Sequence, residues 1–194
     1  GGAIATYSGS DSIDAGGGND LIVQTLYQTG NDTIIGGADV DKLTVTQSNG
    51  LTDLDNVTQV ETVELLSGLG ANFSYTISNG SAFDTDTTGV TIDGDALAST
   101  EALWFSATNL SRSITILGGS GNDTIIDGAG GDSIVTNAGN DNITLSGAGA
   151  NTVSSGSGTD SITLGAGTDS VDAGINNDTV VGGANVTVAD TLDG

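Results

Sequence analysis

The chain has 194 residues, 25 acidic side chains against two cations, Lys42 and Arg112, and a formal net charge of −23. Such a surface repels phosphate, which excludes a nucleic-acid partner and adhesion to an anionic membrane. There is no Cys, His, Met or Pro; disulfides, thiolate sites, imidazole ligands and the usual general base are excluded, and no stretch approaches the roughly 20 apolar residues of a membrane insertion.

The opening stretch, "GGAIATYSGSD", has no initiator Met, basic start or apolar signal segment, and reads as a piece of a longer or processed chain. A period then appears. "YSGSDSIDAGGGNDLIV" places Asp11 two residues before Ile13 and Asp20 two before Ile22. "TGNDTIIGGADVDKLTV" repeats the arrangement with Asp32 and Ile34, then Asp41 and Leu43. Within each pair the aspartates are nine residues apart, with a three-residue insertion between the pairs. Residues 1–43 form a first repeat block.

Residues 44–117 lose the period but stay rich in β-formers, with strands expected at "VTQVETVELLSG", "NFSYTIS", "VTIDG", "ALWFSA" and "SITIL". Phe73, Tyr75, Phe83, Trp104 and Phe105 lie here. They are expected to fill a wider core rather than form a ligand-stacking surface. "DTDTTGVTIDGD", from Asp84 to Asp95, partly mimics a helix-flanked calcium loop. Thr88 stands at the fifth position and Asp at the last, so it reads as an acidic surface loop.

Residues 118–194 restore the period. Asp123, Asp132 and Asp141 are preceded by Gly121, Gly130 and Gly139 and followed by Ile125, Ile134 and Ile143. Asn151 fills the next slot one residue late; Asp160, Asp169 and Asp178 follow, and Asp190 with Leu192 resembles one more unit. Asn176 stands where the last glycine is expected. Each unit divides into a glycine-rich turn and a short strand such as "DTII" or "DSIV". Alternation aims the aliphatic at one face and the small polar residue after each anchor at water. One turn and one strand make half a coil, two units a rung. The fold class expected is therefore all-β: right-handed parallel β-roll or β-solenoid blocks flanking a less regular β segment.

In such a coil residues two units apart stack. Asp123, Asp141, Asp160 and Asp178 form one column, and Asp132, Asn151 and Asp169 the other. Bare carboxylates on strands about 4.8 Å apart repel by roughly 3–4 kcal/mol at an effective dielectric of 20. Positive charge must sit between rungs. Carboxylate and backbone carbonyl oxygens on glycine turns, without His or Cys, suit Ca2+, several ions of it, better than Mg2+ with its strict octahedron.

These units resemble the repeats-in-toxin (RTX) nonapeptide, G-G-x-G-x-D-x-U-x with U a large aliphatic. "GGSGNDTII", from Gly118 to Ile126, matches every defined position; "GAGGDSIVT", "GSGTDSITL", "GAGTDSVDA" and "GGGNDLIVQ" match with small register differences. The resemblance implies a β-roll that forms on binding calcium between successive turns. It implies metal roles for Asp11, Asp20, Asp32, Asp41, Asp123, Asp132, Asp141, Asp160, Asp169 and Asp178, with Asp190 in the added unit. Asn151 departs from the pattern and brings one charge fewer, which weakens its sites. Asp39, in place of glycine, puts the turn before Asp41 in question.

The alternation of nonapeptide blocks with Thr/Ser/Asn/Ala-rich β segments, the very low Lys content and the lack of Cys are also similar to RTX-type bacterial surface-layer proteins. That likeness implies a secreted, extracellular or cell-surface structural protein, not an enzyme, which self-associates into a homo-oligomer or lattice. Two other classes stand beside it. One is an adhesin module contacting cell-surface polysaccharide through the aromatic middle segment. The other is the calcium-binding accessory part of a secreted enzyme.

Overall fold

A computed structural model describes residues 3–6, 10–24, 32–46, 54–68, 70, 72–77, 81–85, 89–108, 110–182, 186 and 191–194. In the first block the strands are β1 (Ala3–Thr6), β2 (Ser12–Asp14), β3 (Leu21–Gln24), β4 (Thr33–Ile35) and β5 (Lys42–Val45). The middle carries β6 (Val57–Thr58), β7 (Thr62–Leu65), β8 (Phe73–Thr76), the single helical turn α1 (Ala82–Thr85), β9 (Val90–Asp93), β10 (Leu103–Ser106) and β11 (Ile114–Leu117). All five stretches read as strands in that segment contain one. The last block carries β12 (Thr124–Ile126), β13 (Ser133–Val135), β14 (Asn142–Thr144) and β15 (Thr152–Ser154). It continues with β16 (Ser161–Thr163), β17 (Ser170–Asp172), β18 (Thr179–Val181) and β19 (Thr191–Asp193).

Among the described residues every pairing is parallel and joins a strand to the one two further along the chain, with β6 and β8 left unpaired to each other. The odd-numbered strands form one ten-stranded sheet from β1 to β19. The even-numbered strands form a three-stranded sheet, β2-β4-β6, and a six-stranded sheet, β8 to β18. This is a β-solenoid whose two faces are built from alternate units. The ten-stranded sheet passes without a break through the middle segment, where the rungs are longer: Thr62 pairs with Thr91, and Val90 with Ile114.

Three-residue strands with a single inward aliphatic explain the narrow core. Ile125, Ile134, Ile143, Val153, Ile162 and Val171 are each buried, one per half-rung. Each contributes on the order of 1.5–3 kcal/mol by burial. The longer rungs of the middle leave a wider interior, and Phe73, Tyr75, Phe83 and Phe105 fill it. Trp104 is the exception; alternation along β10 turns it outward between Leu103 and Phe105, and it is 39% exposed. The residues after the anchors, Thr124 and Ser133 half-exposed and Asn142, Thr152, Ser161, Ser170 and Thr179 exposed, line the outer faces as alternation requires.

Both cations serve the middle of the chain. Lys42 on β5 pairs with Glu64 on β7 at 2.7 Å, and its ammonium lowers the Glu64 carboxyl below its ordinary range. Arg112 lies over the Phe83 ring at 4.9 Å and donates to the Phe83 carbonyl. Part of the stretch from Asp84 to Asp95 lies outside the described residues; the rest runs into β9, and Asp95 is exposed at its end. Among the described residues no helix is long and apolar enough to cross a membrane.

Candidate metal centre

The turn aspartates point inward, and a backbone ladder fixes each of them. The amide of Asp123 donates to Oδ1 of Asp141 at 2.8 Å, that of Asp141 to Oδ1 of Asp160 at 2.8 Å, and that of Asp160 to Oδ1 of Asp178 at 2.9 Å. On the opposite edge the amide of Asp132 donates to Oδ1 of Asn151 at 2.8 Å, and that of Asn151 to Oδ1 of Asp169 at 3.2 Å. These are the two columns read from the spacing. Each later anchor reaches back one rung and takes the amide of the anchor before it, while Asp123 and Asp132, at the heads of the columns, take the amides of Leu103 and Ile114.

The first block is built the same way. Asp11 donates its amide to Oδ1 of Asp32 at 2.7 Å, and Asp20 donates to Oδ1 of Asp41 at 2.8 Å. The amide of Asp41 in turn donates to Oε2 of Glu61 at 2.6 Å. Glu61 therefore extends the Asp20–Asp41 column by one rung. Its glutamate type and irregular spacing hid it from a search for a nine-residue aspartate period. The doubted turn before Asp41 does form: Asp39 adopts φ 83°, and Asn176 adopts φ 91° where glycine is likewise missing. Asp and Asn tolerate the left-handed region better than other side chains do. Asp190 lies outside the described residues.

In five of these carboxylates the second oxygen is what the backbone does not satisfy. Oδ2 of Asp32, Asp41, Asp141, Asp160 and Asp178 is buried without a hydrogen-bond partner among the described residues. Two members are better served: Oδ2 of Asp123 accepts from the Gly119 amide at 3.0 Å, and Oδ2 of Asp132 from the Gly128 amide at 3.4 Å. Burial raises the carboxyls of Asp132 and Asp141, and pushes that of Asp123 up to about 6, with the charge of the next aspartate in its column adding to the effect. A buried carboxylate oxygen with nothing to bind is costly, and either a proton or a cation relieves it.

The turns supply the other donor type. A Cβ at Gly149 would stand 1.7 Å from the carbonyl oxygen of Gly130, and one at Gly167 1.7 Å from that of Gly149. Turn is pressed on turn so closely that a side chain has no room, and the glycine carbonyls stack in register beside the aspartate column. Among the described residues no three acidic side chains converge on one point. A cation between rungs would draw on carboxylates of successive rungs and on turn carbonyls. Six to eight oxygens in irregular geometry is what Ca2+ accepts. The residues present fit that ion.

Four stretches match the family model of the RTX calcium-binding nonapeptide repeat: residues 4–23, 28–47, 117–147 and 145–180. Together they span more than half of the chain, and they coincide with the two blocks whose aspartates form the columns. No significant match was found among curated proteins or among solved structures.

Proposed function

The chain belongs to the RTX calcium-binding family, and from that premise we propose that it is an extracellular structural protein, stabilised by calcium, that assembles with copies of itself into a bacterial surface layer, sheath or filament. Repeats of this family bind calcium and are typical of secreted proteins. When bound, the ion supplies the positive charge that the stacked carboxylates need. Binding to the closed coil and not to the open chain then drives folding. In this reading the metal ligands are the column aspartates, and the role is structural and not catalytic.

The observation that carries the assembly reading is the charge pattern. The formal net charge is −23, yet no residue of β8, β10, β12, β14, β16 or β18 is charged. The six-stranded sheet presents the row Ser74, Trp104, Thr124, Asn142, Ser161 and Thr179, paired strand to strand in register. A neutral, hydroxyl-rich face can approach a second such face without the repulsion the acidic turns would impose. The test is light scattering and electron microscopy of the purified chain in calcium. Ordered arrays are expected. Thr124→Asp with Ser161→Asp should abolish them while leaving the calcium-induced circular dichroism intact. A wild-type chain that stays monomeric in saturating calcium at all concentrations would overturn the reading.

Trp104 favours a second reading on the same face. An exposed indole beside hydroxyls suits stacking on a neutral sugar ring, the arrangement an adhesin for cell-surface polysaccharide requires. Saturable polysaccharide binding that Trp104→Ala removes, without loss of folding, would decide for it.

A further inference from the structure

The column Asp132–Asn151–Asp169 lacks a carboxylate at its middle rung. Asn151 keeps the ladder, because its Oδ1 accepts the Asp132 amide, but its Nδ2 is buried without a partner among the described residues. In the facing column, Asp141, Asp160 and Asp178 each present a carboxylate oxygen at the equivalent atom. The missing charge has a counterpart nearby.

Asp127 follows β12, in the slot that the nonapeptide pattern gives to its first glycine. The backbone ladder stacks its position between Ala107 and Leu145: the Ala107 amide donates to the Ile126 carbonyl and the Asp127 amide to the Thr144 carbonyl. It is thus a lone carboxyl in an otherwise apolar column, and its exposure is 0%. Oδ1 of Asp127 accepts from the amide of Ser146, at the head of the turn that leads to Asn151. Oδ2 is buried without a partner among the described residues. Burial first, and then the charges of Asp132 and Asp169, push its carboxyl up to about 8 in the absence of metal. Those two aspartates occupy the rungs on either side of Asn151. The amide of Gly128, next in the chain, donates to Oδ2 of Asp132 at 3.4 Å, so the Asp127 carboxylate reaches from the turn of Asp132 to the turn of Asn151.

We propose that Asp127 is a calcium ligand outside the nonapeptide pattern, supplying at the rung of Asn151 the carboxylate that this column lacks. With it, the edge again has one carboxylate per rung: Asp132, Asp127 and Asp169 against Asp123, Asp141 and Asp160. The inference rests on the calcium reading above and deepens it by assigning a ligand to the rung the repeat pattern leaves neutral.

The test is calcium stoichiometry and affinity, by calorimetric titration with CaCl2 and by native mass spectrometry, on the wild-type chain, Asp127→Asn and the double variant D127N/N151D. Asparagine at 127 keeps an oxygen for the Ser146 amide, so the hydrogen bond survives while the charge is lost. Asp127→Asn is expected to bind one ion fewer, or to hold one ion about tenfold more weakly. The double variant, which returns a carboxylate to the same rung, is expected to regain it. Unchanged stoichiometry and affinity in Asp127→Asn, the behaviour of a permanently protonated acid, would overturn the proposal. So would a double variant with native circular dichroism that does not regain the ion. A wild-type chain that binds no calcium would overturn the parent reading along with this one.

Discussion

Replacing Gly149 by alanine tests the rung-on-rung contact directly. The added Cβ would stand 1.7 Å from the Gly130 carbonyl oxygen, and the backbone at Gly149 is not in the left-handed region, so the effect is steric and not conformational. An ordinary contact is about 3.4 Å, and strands stack about 4.8 Å apart, so the two turns must separate by roughly a third of their spacing. The amide of Asp132 bonds Asn151 across the same gap at 2.8 Å, and a shift of that size breaks it. One lost buried hydrogen bond with the accompanying overpacking amounts to about 3–5 kcal/mol. Gly89→Ala is the control, since none of the described residues lies within 4 Å of a Cβ there. Urea denaturation in saturating calcium, followed by far-UV circular dichroism, measures both. Equal midpoints for the two variants would refute the close stacking of turns on which the carbonyl column depends.

Other consequences concern charge. Asp141→Asn retains the oxygen that accepts the Asp123 amide but removes a carboxylate between two others; the calcium midpoint for folding should rise about tenfold, whereas Asp95→Asn, at an exposed site, should move it less than twofold. The pH dependence should change sign with calcium. In chelator, the raised carboxyls of Asp123 (about 6) and Asp127 (about 8) favour the folded coil when protonated, so any structure present gains stability as pH falls from 8 towards 4. In calcium the ligands must be ionised, so stability is lost over the same range, and thermal melts at several pH values separate the two cases. Glu101 gives a calcium-independent comparison. It accepts from the Ser67 hydroxyl and the amides of Gly68, Gly70 and Ala98, which hold its carboxyl down to about 2. Glu101→Ala should destabilise the coil by the same amount at low and high calcium, as read by urea titration.

The nine-residue period exposed the coil because each unit spends its residues on one turn and one inward aliphatic, which leaves little room for variation. Asp123, Asp141, Asp160 and Asp178 could be stacked on paper, and their backbone ladder follows. The middle segment was harder. Its strands were visible from their β-branched and aromatic residues, but rungs of unequal length, such as Thr62 to Thr91, erase any period. Its membership in the same ten-stranded sheet is set by pairing, not by repetition. Glu61 escaped notice because a longer side chain reaches the Asp41 amide from an irregular position. Asp127 reads in sequence as an ordinary turn aspartate. Only its burial and its reach to Ser146 distinguish it from exposed Asp39, which also replaces a turn glycine. Trp104 illustrates the opposite case, since strand alternation alone would have turned it outward.

The central claim is that calcium between the rungs holds the coil closed. A calcium titration of the chain from chelator, followed by far-UV circular dichroism with Mg2+ in parallel, tests it most directly. The account predicts a cooperative rise of β signal with Ca2+ and none with Mg2+ over the same concentrations. A chain already fully β-structured in chelator at neutral pH, and indifferent to calcium, would contradict it and leave the column aspartates as turn-formers only.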